Sequence, residues 1–130
     1  MTWTFDQLDN LLQQQESLSV SNENGVLFLT NEDGIDACIT ISGEQIIVES
    51  LLCATKQIKD SSTFNDVILR THMQMFPLTT LGITEVDGDS YYTAFGTLSS
   101  KSKEDSILVE IDLLFQNVEG MLESYEDHIV

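Results

Sequence analysis

Residues 35–52 read IDACITISGEQIIVESLL and predict a hairpin of two antiparallel strands. Along residues 35–41 every second side chain is apolar, which is the period of a strand with one buried face. Gly43-Glu44 fits a two-residue type II′ turn, because glycine accepts the positive φ of the first central position. The cross-strand pairs expected are Ile41 with Ile46, Ile39 with Val48, and Ile35 with Leu52. All of them share one face, so the hairpin is expected to bury that face.

Three helices are expected around this hairpin. The first covers residues 5–16, and Thr4 opens a capping box at its start. Thr63, with Asp66 three residues later, is expected to cap the second, which stops before Pro77 because the residue before a proline disfavours helical geometry. Ser102, with Asp105 three residues later, is expected to cap the start of the third. The apolar stripe that the third helix is expected to pack into the core consists of Ile107, Ile111, Leu114, Phe115, Val118, Leu122 and Tyr125.

Three further strands complete the expected architecture. One short apolar strand lies at 25–30, and a second hairpin joins 81–86 to 91–98. Asp87-Gly88 lies between the strands of that hairpin and is typical of a type I′ turn. The order is then helix, three strands, helix, two strands, helix. The prediction is an α+β fold with an antiparallel sheet, in a single acidic domain covering residues 1–130.

Charge is distributed unevenly along the chain, whose formal net charge is −17. Residues 1–55 contain nine Asp and Glu residues and no Lys or Arg, and residues 104–130 contain eight acids and again no base. Residues 56–103 contain five of each sign. Such a surface repels nucleic acid and anionic membranes, so neither is expected as a direct partner. It favours basic proteins as partners, or it serves solubility alone.

The hydropathy, the N-terminal residues and the cysteine spacing indicate the cellular compartment. No apolar run approaches the ~20 residues of a membrane-spanning helix, and the first residues lack the pattern of a secretion signal. Cys38 and Cys53 have no CxxC spacing, which favours reduced thiols. We therefore expect a cytoplasmic protein.

Two features of the sequence resemble known groups of proteins. The order of elements resembles the type III secretion chaperone-like fold, found among small acidic homodimeric bacterial proteins. In the C-terminal half the residues Arg70-Thr71-His72, Pro77-Leu78, Gly82-Ile83, Tyr92 and Phe95-Gly96-Thr97-Leu98-Ser99 resemble the YjfI-like proteins, over about residues 64–120. That family of bacterial cytoplasmic proteins is uncharacterised. Membership would imply no known activity, with a phage-shock protein A relative as a weak pointer to a partner.

Catalytic, cofactor and metal sites are not predicted. His72 and His128 lack companion ligands at metal-binding spacing, and neither cysteine has a His or Asn arrangement that would activate it. Arg70 is expected to pair with a carboxylate. No phosphate-binding glycine loop or nucleophile motif occurs. The chain is therefore predicted not to be an enzyme and to need no cofactor.

The second helix carries a second apolar stripe, made of Leu69, Met73 and Phe76. Either the helix is buried on both sides within one chain, or these side chains form a homodimer interface. Repulsion between two acidic copies would be least here, because the stripe lies in the neutral segment. We expect a homodimer through this stripe.

The third helix carries an acidic row, made of Asp105, Asp112, Glu119 and Glu123. Acids near a helix C-terminus oppose the macrodipole, and Glu119 and Glu123 are a like-charge pair one turn apart. The row is either a solvated face or a docking face for a basic protein.

The predicted function is that of a non-catalytic protein-binding or chaperone-like adaptor acting as a homodimer. The alternative is an acidic inhibitor, of the immunity-protein or DNA-mimic kind, that presents carboxylates to a basic protein. No sequence motif identifies the partner.

Overall fold

The computed structural model describes residues 2–130, which form three helices and six strands. The helices are α1 (Phe5–Gln13), α2 (Ser61–Met75) and α3 (Glu104–Ser124). The strands are β1 (Ser19–Glu23), β2 (Val26–Thr30), β3 (Asp36–Ser42), β4 (Gln45–Ala54), β5 (Thr80–Val86) and β6 (Asp89–Ser99). Short 3₁₀ turns follow β4 at Thr55–Gln57 and α3 at Glu126–His128. The predicted α+β class is confirmed, with one strand more than expected.

All six strands pair antiparallel in one sheet of order β1-β2-β3-β4-β6-β5. The long central pair is β4 with β6, which runs from Gln45 opposite Ser99 to Ala54 opposite Tyr91. This pair joins strands β1–β4 to the C-terminal hairpin β5–β6, although α2 lies between the two groups in the sequence. Strands β1 and β5 are the two edges of the sheet.

The β3–β4 hairpin has the register that its sequence predicts. Ile41 lies opposite Ile46 and Ile39 opposite Val48, and Gly43 has a φ of +59° at the first turn position. The third expected pair, Ile35 with Leu52, does not form. Strand β3 begins only at Asp36, and its pairing with β4 begins at Cys38 opposite Glu49.

The strand that the sequence analysis missed is β1, whose residues read SVSNE. Only one of its five side chains is partly buried, so the apolar alternation that reveals a strand is absent. Its turn does carry a signal, because Asn24-Gly25 is a type I′ dipeptide with φ values of +51° and +78°. Gly25 therefore belongs to this turn, and β2 begins at Val26.

Helix starts were predicted correctly in one case of three. Thr4 caps α1 as expected, and its hydroxyl accepts from the Gln7 backbone N–H at 3.2 Å. The cap of α2 is Asp60, whose carboxylate accepts from the backbone N–H of Thr63, so Thr63 lies inside the first turn. Helix α3 starts after Lys103, which makes no side-chain capping bond, and the predicted cap at Ser102 is wrong.

The core forms where α1, α2 and α3 pack against the sheet. Its largest fully buried side chains come from all these layers: Leu8, Leu12, Leu27, Leu29, Ile39, Ile46, Val48, Phe64, Ile107, Ile111, Leu114 and Met121. Burying this apolar surface is the main stabilising contribution to the fold. In the stripe of α3, Met121 is buried where Leu122 was expected, and Leu122 is 36% exposed. None of the helices in residues 2–130 is long and apolar enough to cross a membrane.

Glu110 of α3 lies directly over Gly96 of β6. A Cβ atom at Gly96 would collide with the Glu110 carboxylate, so a larger residue there would displace the end of this side chain. Partial burial raises the pKa of Glu110, because the charged form loses hydration there. The close packing of α3 on β6 therefore makes Glu110 a destabilising charge at neutral pH.

Ion pairing is sparse in the described part of the chain. The salt bridge present joins Arg70 Nε to Asp66 Oδ2 at 2.9 Å, one turn apart on α2. This agrees with the expectation that Arg70 pairs with a carboxylate. Both side chains are largely exposed, so the pair contributes little. We therefore expect repulsion among the 22 acids to outweigh the attraction within ion pairs.

We expect the melting midpoint to rise between low and moderate sodium chloride concentration. Ions screen the repulsion among surface carboxylates over a Debye length of about 10 Å at 0.1 M salt. Differential scanning fluorimetry across a salt series measures this, with potassium chloride as the control for a specific sodium effect. A flat or falling midpoint would contradict the dominance of net repulsion.

Glu110→Gln is expected to stabilise the protein at neutral pH and to have little effect at acidic pH. Because the pKa of Glu110 is raised in the folded state, the folded chain binds the proton more tightly than the unfolded chain. The wild type therefore loses stability as the pH rises from the ordinary carboxyl range through the raised pKa, and the variant avoids this loss. Urea unfolding at several pH values measures the difference.

Asp112→Asn is the matched control, since it removes an exposed charge from the same helix. A pH dependence that is equal in Glu110→Gln and in this control would show that burial of Glu110 is not the cause.

Candidate protein-binding site

Helix α2 has one buried side and one exposed apolar side. Phe64 and Ile68 are buried against the core, and the Phe64 ring packs edge-on against Tyr92 at a centroid distance of 4.9 Å. On the other side, Leu69 is 73% exposed and Met73 is 76% exposed. Large apolar side chains at this exposure cost hydration free energy unless a partner covers them.

Phe76, the third predicted member of this stripe, is not exposed. Its backbone leaves the helix with a φ of −133°, so the helical period no longer applies to it. The side chain is 6% exposed and its ring lies 6.0 Å from that of Tyr125. A Cβ atom on Gly120 would lie 2.8 Å from this ring, so glycine in α3 creates the space that Phe76 occupies. Phe76 is therefore a core residue.

Strand β5 lies next to the exposed side of α2. A groove of about 260 Å³ runs between the two elements and is lined by Asn65, Ile68, Leu69, Leu81, Gly82, Ile83 and Tyr92. Ile83 is 54% exposed on its rim. The Tyr92 hydroxyl donates to the side-chain oxygen of Asn65 and closes the floor of the groove. We name the exposed side chains of Leu69, Met73 and Ile83 the α2–β5 face.

Exposed apolar side chains are concentrated in the segment of the chain that contains this face. Among the described residues, six of the eleven large apolar side chains with high exposure fall within residues 69–86. They are Leu69, Met73, Met75, Leu78, Ile83 and Val86. Because β5 is also an edge strand, its outer main-chain groups add hydrogen-bonding capacity to the same region.

Leu78 is held outward by a strained turn. Its φ is +75°, an unfavourable value for a residue with a branched side chain, and the side chain is 72% exposed. The Asn117 amide of α3 donates to the Pro77 carbonyl at 3.2 Å and to Thr79 Oγ1 at 2.7 Å. These bonds fix both neighbours of Leu78, and such maintained strain is typical of functional positions.

The acidic row of α3 is exposed, as its sequence pattern predicts. All four side chains of Asp105, Asp112, Glu119 and Glu123 are exposed. Asp112 and Glu119 also line a hollow of about 190 Å³ together with Glu32 and Asp33 of the β2–β3 turn. We name the hollow lined by Asp112, Glu119, Glu32 and Asp33 the carboxylate hollow. Sequence reasoning interpreted Glu32 and Asp33 as turn residues only, and no local pattern links them to α3.

The cysteines and histidines do not form a reactive cluster within residues 2–130. Cys38 and Cys53 are free thiols, and burial raises the pKa of both, so the thiolate form is disfavoured. A ring nitrogen of His72 hydrogen-bonds the Ile68 carbonyl at 2.8 Å within its own helix. In this part of the chain no three His, Cys, Asp or Glu side chains are placed to hold a metal ion.

Structural comparison relates this geometry to solved proteins. The fold matches the crystal structure of YbjN from E. coli, a candidate transcription regulator, with a TM-score of 0.74, 14% identity and coverage of 98% of this chain and 95% of that one. It also matches a chain of the ExsC–ExsE complex, with a TM-score of 0.65, 13% identity and coverage of 92% and 93%. A chain of the HopA1–SchA chaperone–effector complex matches with a TM-score of 0.63, 17% identity and coverage of 89% and 90%. The expected type III secretion chaperone-like fold is therefore confirmed.

Sequence comparison extends the resemblance beyond the C-terminal half. The chain is 33% identical over 132 residues to YjfI of Escherichia coli K12, and the alignment covers 98% of each sequence. A second relative, YjfI of Escherichia coli O157:H7, matches equally. Residues 2–129 match the family described as an uncharacterized protein conserved in bacteria, DUF2170. The protein therefore belongs to the bacterial family DUF2170 and is a relative of YjfI.

Proposed function

We propose that this protein is a non-catalytic, chaperone-like adaptor of the bacterial cytoplasm that acts as a homodimer through the α2–β5 face. The observation that carries the proposal is the concentration of exposed apolar side chains within residues 69–86. A face of this kind is stabilised when a partner removes it from water.

Charge supports a second copy as the partner of this face. Two chains of net charge −17 repel each other, and the repulsion is smallest where the local charge is balanced. Residues 56–103, which contain the whole α2–β5 face, carry five acids and five bases. A homodimer that buries this segment keeps the acidic segments 1–55 and 104–130 available for a different partner.

The solved relatives support protein binding as the role. Two of the similar folds come from complexes of two different proteins, ExsC with ExsE and the chaperone SchA with the effector HopA1. Fold similarity alone does not transfer an activity. The proposed adaptor role therefore rests on the exposed face together with the occurrence of similar folds in protein–protein complexes.

Met73→Glu is expected to convert a homodimer into a folded monomer. The substitution places a charge inside an apolar interface, where it has no partner and has lost its hydration. Light scattering after size-exclusion chromatography should then show a molar mass near 14.6 kDa for the variant and near twice that value for the wild type.

Val109→Glu is the matched control for this experiment. Val109 is 56% exposed on α3, outside the α2–β5 face, so the same charge there should leave the dimer intact. A wild-type protein that is already monomeric at micromolar concentration would contradict the proposed homodimer.

A second candidate function is favoured by the carboxylate hollow. Four carboxylates from α3 and from the β2–β3 turn converge on one surface, where a basic protein could neutralise them. This surface supports either docking of a basic client by the adaptor or the acidic-inhibitor alternative. Both versions require that removing acids from the row weakens association with that protein.

The double variant Glu119→Gln with Glu123→Gln is expected to raise stability while it slows association with a basic partner. It removes a like-charge pair and two acids from the C-terminal half of α3, which should add a few tenths of a kcal/mol to the free energy of unfolding. Losing two charges should lower the association rate and its salt dependence more than it changes dissociation. Urea unfolding and surface-immobilised binding kinetics measure the two effects.

Glu85→Gln with Asp89→Asn provides a control that removes two exposed charges from the β5–β6 hairpin. If both double variants associate at the wild-type rate, the acidic row is a solvated face and the docking proposal fails.

A further inference from the structure

The turn between α2 and β5 contains a residue that its geometry disfavours. Residues 76–79 read FPLT, and the Thr79 backbone N–H donates to the Phe76 carbonyl at 3.3 Å. Pro77 at the second position and a φ of +75° for Leu78 at the third are the pattern of a type II turn. That third position normally holds glycine, because a Cβ atom is unfavourable at positive φ. Leucine therefore destabilises the turn in which it lies.

Exposure adds a second cost at Leu78. Its side chain is 72% exposed, so folding gains little from burying it within the chain. The stability of a single chain does not account for leucine here, since glycine would relieve the backbone and lose little apolar contact. A partner that covers the side chain does account for it, because burial in an interface removes the apolar surface from water.

The turn holds this side chain on a fixed backbone. The Asn117 amide of α3 donates to the Pro77 carbonyl and to the hydroxyl of Thr79, which is itself buried. The other end of the turn is anchored by the buried ring of Phe76. A side chain presented from a fixed backbone loses little conformational entropy on binding, so Leu78 is organised for contact before a partner arrives.

The groove between α2 and β5, which we name the α2–β5 groove, suits such a side chain. Its volume of about 260 Å³ exceeds that of a leucine side chain. Four apolar residues line it: Ile68, Leu69, Leu81 and Ile83. Leu78 does not line the groove of its own chain, so a Leu78 side chain that fills it must come from another molecule. Turn and groove both lie within residues 56–103, whose balanced charge gives the least repulsion between two copies.

We propose that Leu78 of each protomer docks into the α2–β5 groove of a second copy and anchors the homodimer. Contacts across a two-fold interface occur in pairs, so both leucines would enter both grooves at once. This inference rests on the proposed homodimer and goes further by assigning the anchoring residue and its receptor. The positive φ makes the free protomer less stable than a glycine variant would be, and burial of Leu78 in the dimer offsets that loss.

Leu78→Gly is expected to change monomer stability and dimer affinity in opposite directions. Glycine relieves the positive φ, so the urea midpoint should rise at protein concentrations at which the chain is monomeric. The substitution also removes both anchors from the two-fold interface, so the Kd of the dimer should rise by about a hundredfold. Sedimentation equilibrium measures the Kd, and urea unfolding measures the stability.

Two further variants separate the anchor from the backbone effect. Leu78→Met keeps an apolar side chain of similar volume, so the Kd should stay within about fivefold of the wild-type value. Asn24 has a φ of +51° in the β1–β2 turn, outside the charge-balanced segment. Asn24→Gly should therefore leave the Kd unchanged.

A double-mutant cycle tests the groove as the receptor. Ile83→Ala trims the exposed rim of the groove and should weaken the dimer by itself. If Leu78 contacts this rim in the second copy, the double variant should weaken the dimer less than the product of the two single effects. Effects that multiply fully would show that Leu78 does not dock in the groove, which overturns the proposal.

The remaining outcomes distinguish this proposal from that of the homodimer. A wild-type dimer that Met73→Glu dissociates, but whose Kd is unchanged in Leu78→Gly, would keep the homodimer and overturn the anchor. A lower stability of the Leu78→Gly monomer would also overturn it, since the side chain would then serve the fold of the single chain. A wild-type chain that is monomeric at micromolar concentration contradicts the homodimer itself and the anchor with it.

Discussion

The packing of α3 across the central strands β4 and β6 is the contact on which the remaining structure depends. It brings the C-terminal helix onto strands from both halves of the chain, with Ile107, Ile111 and Leu114 fully buried. Two glycines lie at close contacts of this helix. A side chain at Gly96 of β6 would displace the end of the Glu110 side chain, and a side chain at Gly120 of α3 would meet the ring of Phe76.

This packing also determines which surfaces are available for binding. Because α3 presents its apolar stripe to the sheet, Asp112 and Glu119 lie on its exposed side and line the carboxylate hollow with Glu32 and Asp33. Asn117 on the same helix holds the Pro77–Thr79 turn, which keeps Leu78 exposed next to β5. One helix thus supports an acidic surface on one side and an apolar surface on another.

Local sequence patterns predicted the elements that carry their own signals. The β3–β4 register follows from alternation and from the glycine turn, and the β5–β6 turn follows from Asp87-Gly88, whose φ values of +52° and +86° are those of type I′. Strand β1 lacked the apolar alternation of a strand because it is a polar edge strand, although Asn24-Gly25 marked its turn, and its sheet position comes from pairing with β2. The α2 cap was misplaced because Asp60 and Thr63 are both acceptable capping residues, and only the backbone geometry distinguishes them.

The sequence by itself determined the α+β class, the turns and registers of the β3–β4 and β5–β6 hairpins, and the charge distribution. These features depend on residues close together in the chain, so the periods of helix and strand reveal them. Only the tertiary structure decided that Phe76 is buried and that Glu32 and Asp33 lie beside the acids of α3. Each of these results depends on residues far apart in sequence, whose contact is created by the packing of the helices on the sheet.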